Sequence, residues 1–311
     1  MGKRPEDRSV EELLNLGFIN VDKPSGPTSH QVSAWVKLIV GVEKAGHGGT
    51  LDPRVTGVLP VALNDSARAL QALLVGDKEY IGVMHLHQDV ERKKVEGMFS
   101  DFTGEIFQFP PVRSAVKREM RKRTIYELEL LESEGRDWLF RVRCESGTYI
   151  RTLCKDIGEA LGIGGQMKDL RRTRTASLTE KESHKLQDLK DAWIAWESDE
   201  DDGPLREIIR PMEVLLDHLP KVIIKDTAVD AICHGANLAV TGISGIEGTF
   251  GKGELIGVMS KLGEGVALGK SLMASDKALS ESSGLAVDTA RVLMSPGTYP
   301  RLWKSHTKKS G

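Results

Sequence analysis

The chain has 311 residues, of which 40% are hydrophobic and 28% charged, and its formal charge is −2. This length allows about two domains of roughly 100–200 residues each, and the composition is that of a globular rather than a disordered protein. No uncharged apolar run reaches the ~18 residues of a membrane helix, and the charged N-terminus lacks the apolar core of a signal peptide.

The first elements in chain order are short. A polar arm at 1–15 precedes a predicted strand at 17–21, and the prolines and glycine at 23–27 end that strand. Ser29 is predicted to cap the helix that follows. This helix has apolar residues at i, i+3, i+4 and i+7, namely Val32, Trp35, Val36 and Ile39.

Strands and helices stay mixed up to about residue 180. A glycine-rich loop at 46–53 precedes a predicted strand at 57–63, a helix at 66–74 and a strand from Tyr80. Period-2 alternation then predicts a strand whose apolar face is Trp138, Phe140, Val142 and Cys144. A helical stripe follows at Ile150, Leu153, Ile157 and Leu161. Because no regular βαβ period occurs, the pattern predicts an α+β fold with a mainly antiparallel sheet.

The last third of the chain changes character twice. The stretch 197–202 holds five acids and no base, and it is predicted to be an exposed turn between two helices. From Val222 onward, short strands such as VIIK and LIGVMS are separated by glycines. This pattern predicts a small β-rich domain of about 80 residues.

Basic residues are concentrated in two segments. Residues 113–123 hold six bases and one acid, and residues 168–174 hold four bases and one acid. Clustered positive charge is typical of nucleic-acid binding, since each neutralised phosphate releases counterions. A solvated surface is the alternative explanation for either segment.

Two segments have residues suited to chemistry. Asp52 lies in the glycine-rich loop and is restricted by Pro53, although an Asp-Pro pair is also ordinary turn chemistry. Tyr149 and Arg151 flank the buried face at the start of a helix. There the tyrosine ring is able to stack on a base and the guanidinium to pair with a carboxylate. The alternative is that both are ordinary surface residues.

Two other patterns are rejected. The run 265–271 imitates a phosphate loop, but an acid occupies the position of its first glycine. His85 and His87 share a strand face without an evident third metal ligand. The three cysteines, Cys144, Cys154 and Cys233, form no CxxC pair, so a reducing cytoplasmic setting is expected.

Six segments taken together resemble the TruB/dyskerin family of pseudouridine synthases. They are NVDKPSGPTSH (20–30), GHGGTLDPRVTGVLPV (46–61), KEYIG (78–82), FPPVRSAVK (109–117), CESGTYIRTL (144–153) and MKDLRRTRT (167–175). Residues 221–299 resemble a PUA domain. The short basic segment after PPVRSAVK and the short tail are most similar to the archaeal, guide-RNA-dependent members of the family, the catalytic subunits of H/ACA ribonucleoproteins.

The resemblance implies a pseudouridine synthase fold, with a mainly antiparallel mixed sheet flanked by helices and a small, β-barrel-like PUA domain. It divides the chain into an N-terminal arm at 1–15 that packs on the PUA domain, a catalytic domain at 16–218, the PUA domain at 219–303 and a tail at 304–311.

It also implies an activity, the isomerisation of uridine to pseudouridine in rRNA or tRNA, without cofactor or metal. Asp52 would be the catalytic carboxylate, Arg151 its partner, and Tyr80 the residue that stacks on the flipped-out base. His47 would help to rearrange the RNA, Lys23 would support the active-site loop, and Tyr149 would pack beside the pocket. The residues expected on the RNA backbone are Arg113, Lys117, Arg121, Lys122, Arg171, Arg172 and Arg174.

The partners that the resemblance implies are a guide RNA, a substrate RNA and three small H/ACA proteins, with no membrane. Three alternatives stay open. They are a stand-alone synthase that acts on the T-loop uridine of tRNA, a non-catalytic RNA scaffold, and a carboxylate hydrolase of nucleosides that would release uracil.

Overall fold

The structure is a computed structural model that describes residues 2–110, 117 and 119–301. These residues form a ten-stranded and a six-stranded sheet. The strands of the larger sheet are β1 (Gly17–Lys23), β2 (Ala45–His47), β3 (Thr56–Leu63), β4 (Lys78–Leu86), β5 (Gly104–Gln108), β6 (Arg121–Glu134), β7 (Asp137–Cys144), β8 (Gly165–Thr175), β9 (Leu178–Thr179) and β10 (Ile209–Pro211). The helices around it are α1 (Val10–Leu16), α2 (Ser29–Ile39), α3 (Arg92–Asp101), α4 (Ile150–Ala160), α5 (Leu186–Asp199) and α6 (Gly203–Ile208).

The smaller sheet contains β11 (Lys221–Ile224), β12 (Leu238–Ala239), β13 (Ile243–Glu247), β14 (Leu255–Met259), β15 (Gly265–Ser271) and β16 (Leu285–Val292). Its helices are α7 (Asp226–Cys233) and α8 (Ser275–Ser280). The structure also has 3-10 helices at Pro5–Asp7, Asn64–Leu74, Glu180–Glu182, Met212–Leu216 and Val240–Gly242.

The larger sheet has the order β10-β1-β3-β8-β4-β7-β6-β5, and β3–β8 is its one parallel pair among the described strands. The smaller sheet has the order β12-β16-β15-β14-β11-β13, with β11 and β14 parallel. The predicted α+β class with a mainly antiparallel sheet is therefore confirmed. The one parallel pair matters for the site, because it places β8 between β3 and β4.

The core consists of several apolar clusters. One lies where β4, β7 and β6 pack against α3 and α4, and it includes the predicted strand face Trp138, Phe140, Val142 and Cys144. A second joins β1 and β3 to α2 and α5. Another cluster contains Phe18 of β1 together with Leu268 of β15, so the two sheets share buried contacts.

Helix α2 differs from its prediction. Thr28, not Ser29, is the N-cap, because the Thr28 hydroxyl accepts the N–H of Gln31 while the Gln31 side chain accepts the N–H of Thr28. Trp35 is 42% exposed instead of buried. The buried face includes Ser29 instead, because its hydroxyl bonds to the backbone of Leu51.

The N-terminal residues bond to the residue that precedes β15 and to the 3-10 helix Met212–Leu216. The Lys3 N–H donates to Glu264 at 3.1 Å, and Arg8 forms a bidentate pair with Glu213, both distances being 2.7 Å. None of the helices in the described ranges has the length and apolar character needed to cross a membrane.

Candidate active site

The loop between β2 and β3, residues 48–55, carries Asp52 and is called the Asp52 loop below. Ser29 holds it from the α2 side, since the Ser29 hydroxyl accepts the Leu51 N–H at 2.8 Å and donates to the Leu51 carbonyl at 3.1 Å. Within the loop, the Val55 N–H donates to the carbonyl of Asp52 at 3.0 Å. The buried Leu51 and Val55 anchor the loop on either side of Asp52, whose side chain is half exposed.

Lys23, at the end of β1, supports the Asp52 loop through hydrogen bonds to the loop backbone. Its side chain has no exposed surface, and its Nζ donates to the carbonyls of Pro24, Pro53 and Val55, each at 2.9 Å. Burial lowers the pKa of Lys23, and the negative charge of Asp52 opposes that shift. The ammonium therefore acts as a three-point support for the loop.

Arg151 brings the third element to the site. It occupies the first turn of α4, where Ile150 and Leu153 point into the core and leave Arg151 outside. Its Nη2 donates to Oδ2 of Asp52. The side chains of Arg151 and Asp52 are 57% and 50% exposed, so the ion pair is accessible to a substrate.

Tyr80 lies on β4 and is 9% exposed. Burial raises the pKa of its hydroxyl, and the guanidinium of Arg172 opposes that rise. Tyr80 shares an apolar cluster with Leu51 and Val55 of the Asp52 loop, so the structure brings the predicted residues Asp52, Tyr80 and Arg151 into one region.

His47 is held by a residue that the sequence analysis did not single out. Its Nε2 lies 2.7 Å from Nδ1 of His30, and its buried Nδ1 has no hydrogen-bond partner among the described residues. Burial lowers the pKa of His47, and the charges of His30 and Arg172 add to this shift.

Tyr149 is the residue that precedes α4, and it is half-buried. The side-chain amide of Gln108 forms two hydrogen bonds with the Tyr149 backbone. Its oxygen accepts the Tyr149 N–H at 3.0 Å, and its nitrogen donates to the Tyr149 carbonyl at 3.2 Å. Since Gln108 ends β5, this contact connects the start of α4 to the edge of the sheet.

A cleft of about 880 Å³ opens beside Arg151, between α4, β8 and the end of β5. Its lining mixes bases, acids and aromatic rings, and includes Arg54, Phe107, Phe109, Arg151, Lys155 and Met167. Asp156 of α4 also faces it; burial raises the pKa of this carboxyl, and the charge of Glu159 adds to the rise. Phe107 and Lys155 were not predictable from the sequence, because exposed aromatic and basic residues have no distinguishing local pattern.

The basic residues of β8 are not equivalent, and one prediction about them is wrong. Arg172 is 2% exposed, so its side chain is not on a surface where it could meet RNA phosphates. Arg171 pairs with Asp22 and Glu180, and Arg174 pairs with Asp77, so acids already compensate these two charges. Charge counting along the sequence detects neither burial nor these partners.

The other basic segment leads into β6. Lys117 pairs with Glu119 and Lys122 with Glu105, and all four side chains are more than half exposed. Arg121 is partly exposed at the start of β6, opposite Gln108. Arg113 lies outside the described residues.

The two rejected patterns have structural roles. Residues 265–271 form the central strand β15 and not a loop. His85 bonds to Asp137 at 2.7 Å. Within the described ranges, no three His, Cys, Asp or Glu residues are grouped so as to hold a metal ion.

Models of known families cover most of the chain. Residues 37–150 match the N-terminal domain of the TruB family of pseudouridylate synthases, and residues 151–217 match the tRNA pseudouridylate synthase B C-terminal domain. Residues 220–293 match the PUA domain, and residues 1–33 match the DKCLD domain. With the geometry above, these matches define a pseudouridine synthase that carries a PUA domain.

Relatives from archaea are similar over nearly the whole length. The probable tRNA pseudouridine synthase B of Methanocaldococcus jannaschii is 52% identical over 303 residues, which is 97% of this chain and 90% of that protein. The protein of the same name from Methanopyrus kandleri is 53% identical over 302 residues, 97% of this chain and 89% of that protein. The chain belongs to the TruB family of pseudouridine synthases.

Solved structures agree in fold. The crystal structure of a Cbf5-Nop10-Gar1 complex contains a chain that is 51% identical, with a TM-score of 0.93 over 97% of this chain and 92% of that one. A chain from an H/ACA RNP bound to a substrate RNA containing 2′-deoxyuridine is 48% identical, with a TM-score of 0.90 over 97% and 92% of the two chains. The predicted pseudouridine synthase fold is therefore confirmed.

Proposed function

We propose that this chain is the catalytic subunit of an H/ACA guide ribonucleoprotein and that it isomerises uridine to pseudouridine in RNA with Asp52 as the catalytic carboxylate. One observation carries the catalytic assignment. The ion pair of Asp52 with Arg151 is solvent-accessible and stands on a loop that Lys23 and Ser29 hold, and the buried Leu51 and Val55 of this loop share a cluster with Tyr80.

The reaction needs one carboxylate and no net transfer of atoms. The N1–C1′ bond of uridine breaks, the uracil turns, and a C5–C1′ bond forms; C5 loses its proton and N1 gains one. Asp52 serves either as a nucleophile at C1′ or as a base that removes a sugar proton to give a glycal. Both routes require an oriented carboxylate, and the hydrogen bond from the Arg151 guanidinium holds the Asp52 carboxylate in place.

A uridine inside folded RNA has to leave its stack to reach Asp52, which costs a few kcal/mol. A cleft of about 880 Å³ beside Arg151 is large enough to accept a nucleotide. In this proposal Tyr80 supports the face of the flipped base, Tyr149 packs beside it, and His47 contributes to rearranging the RNA.

The RNA path continues to the start of β6. Arg121 pairs across the sheet with Gln108, whose side chain bonds to the backbone of Tyr149, two residues before Arg151. Basic side chains at this edge are therefore close to the cleft, and we assign Lys117, Arg121 and Lys122 to phosphate contacts. The acidic partners of Lys117 and Lys122 are exposed, so these two ion pairs are weak and easily replaced by phosphate.

Assembly with RNA and small proteins is supported by the similarity to chains of a Cbf5-Nop10-Gar1 complex and of an H/ACA RNP bound to a substrate RNA. A stand-alone tRNA synthase is a second candidate, because the curated relatives are named tRNA pseudouridine synthase B. One measurement distinguishes the guide ribonucleoprotein from the stand-alone tRNA synthase. The protein is reconstituted with three small H/ACA proteins and a matched guide, and pseudouridine is mapped in substrate RNA and in tRNA with and without the guide. Guide-dependent modification supports the ribonucleoprotein, and efficient modification of tRNA by the protein alone supports the second candidate.

The role of Asp52 is tested by Asp52→Asn in the same assay. We expect turnover to fall below detection while the dissociation constant for RNA changes by less than about tenfold, because only the chemical step is removed. Asp65→Asn is the matched control, since Asp65 is an exposed aspartate paired with Arg68, and it should keep the wild-type rate. Near-normal turnover by Asp52→Asn would reject the assignment.

A further inference from the structure

Arg172 occupies a central position in the site although it is buried. On β8 it pairs across the sheet with Gly57 of β3 on one side and with Tyr80 of β4 on the other. It is a large side chain with almost no exposed surface, since only 2% of the residue is accessible to solvent. The residue therefore lies between the strand that follows the Asp52 loop and the strand that carries Tyr80.

The guanidinium of Arg172 lies next to β3, the Asp52 loop and β4. Nε donates to the carbonyl of Val58 on β3 at 2.8 Å, and Nη2 donates to the carbonyl of Gly49 in the Asp52 loop at 3.4 Å. Tyr80 is the cross-strand neighbour of Arg172 on β4, and the guanidinium opposes the rise that burial causes in the pKa of the Tyr80 hydroxyl. One planar group thus connects the loop with the catalytic carboxylate to the residue proposed to support the base.

The charge of Arg172 is compensated differently from that of its neighbours. Arg171 and Arg174 each pair with carboxylates, whereas Arg172 has no ion-pair partner in the described part of the chain. Removing a guanidinium from water is expensive, and carbonyl groups return only part of that free energy. An apolar residue would pack β3, β8 and β4 without this penalty, so packing alone does not account for an arginine here.

We infer that Arg172 is a positioning residue for pseudouridine formation, which holds the Asp52 loop and Tyr80 in a fixed relation on either side of the flipped base. This inference rests on the proposed function, because it acts through Asp52 and Tyr80. Errors in the placement of catalytic groups lower the rate of the chemical step more than they lower affinity. Loss of Arg172 is therefore expected to slow chemistry and leave RNA binding largely intact.

The first experiment measures single-turnover rates and RNA dissociation constants on the guide-loaded complex. We expect Arg172→Met to lower the single-turnover rate by about 30-fold and to change the dissociation constant by less than about threefold. Arg172→Lys keeps the charge but not the planar fork, so an intermediate rate is expected. Arg141→Met, at an exposed arginine of β7 paired with Glu129, should match the wild type.

A double-mutant cycle separates positioning from packing. If Arg172 acts through the Tyr80 hydroxyl, Arg172→Met should lower the rate much less in a Tyr80→Phe background than in the wild type. An equal loss in both backgrounds would mean that Arg172 does not hold the Asp52 loop and Tyr80 in a fixed relation through the Tyr80 hydroxyl, and the inference would fail. If Arg172→Met does not fold, Arg172→Lys replaces it in the cycle, and loss of the fold in both variants would also reject a positioning role. Failure of the proposed function would show separately, as retained activity in Asp52→Asn.

Discussion

Two buried lysines bind backbone rather than acids. Lys23 donates to three carbonyls and supports the Asp52 loop. Lys78, at the start of β4, donates to the carbonyls of Leu73 and Gly76 at 2.8 and 2.6 Å. The family resemblance pointed to Lys23, but no local pattern distinguishes the buried Lys78 from an exposed lysine, because the carbonyls that it binds lie in the preceding turn.

The pKa of Lys78 predicts a dependence of stability on pH. Burial, with a contribution from the charge of Arg172, lowers this pKa from 10.5 to about 8. Between these two values the unfolded chain holds a proton that the folded chain has released, so the free energy of unfolding rises with pH. We expect a rise on the order of 3 kcal/mol from this residue between pH 8 and 10.5.

Urea unfolding at several pH values in this range measures the effect. The wild type is compared with Lys78→Met, which should lack the rise. Lys93→Met removes an exposed lysine of α3 and should keep the slope of the wild type. Parallel curves for the wild type and Lys78→Met would contradict the prediction.

At the scale of elements, the site depends on how closely β3 approaches β8. Gly57 pairs with Arg172 across these parallel strands and has a φ of +98°, and a Cβ at that position would lie 2.1 Å from the carbonyl oxygen of Arg172. A side chain would therefore force the two strands apart, and it would move Arg172 away from the Asp52 loop.

Gly57→Ala is expected to lower the free energy of unfolding by about 3 kcal/mol or more, because conformational strain and a backbone clash act together. Gly135→Ala is the matched control. Gly135 also has a positive φ, +56°, but its Cβ would meet open space, so about 1 kcal/mol is expected. Chemical denaturation measures both, and equal losses would show that the approach of β3 to β8 is not the cause.

At the scale of the whole molecule, one buried ion pair connects the N-terminal residues to the smaller sheet through the 3-10 helix Met212–Leu216. Arg8 and Glu213 have side chains that are 6% and 9% exposed and form two hydrogen bonds of 2.7 Å. Glu213 also accepts the N–H of Gly265, at the start of β15, at 3.0 Å. The carboxylate therefore joins the N-terminal segment to the smaller sheet.

Arg8→Met leaves Glu213 buried without its cation, and we expect a loss of about 3–5 kcal/mol in the free energy of unfolding. Lys3→Met removes the exposed pair of Lys3 with Glu12, whose side chains are 47% and 39% exposed, and it should change stability by less than about 1 kcal/mol. Thermal and urea unfolding of both variants test this. If Arg8→Met and Lys3→Met lower the free energy of unfolding by similar amounts, the buried pair does not connect the N-terminal segment to the smaller sheet.

Much of the local structure was predictable from the sequence. The period-2 pattern identified β7 and its buried face, and the helical stripe identified α4 with Arg151 outside it. These predictions succeed because side-chain direction along a strand or helix depends on short-range backbone geometry. The motif around Asp52, with the other five segments, was sufficient to indicate the family.

The tertiary structure alone decided which charges are compensated and how. Asp52, Tyr80 and Arg151 come from a loop, a strand and a helix, and only the sheet order brings them together. Arg172 was counted with its basic neighbours, yet it is buried while they meet acids. Burial and partners depend on residues distant along the chain, so a local pattern of charges does not contain this information.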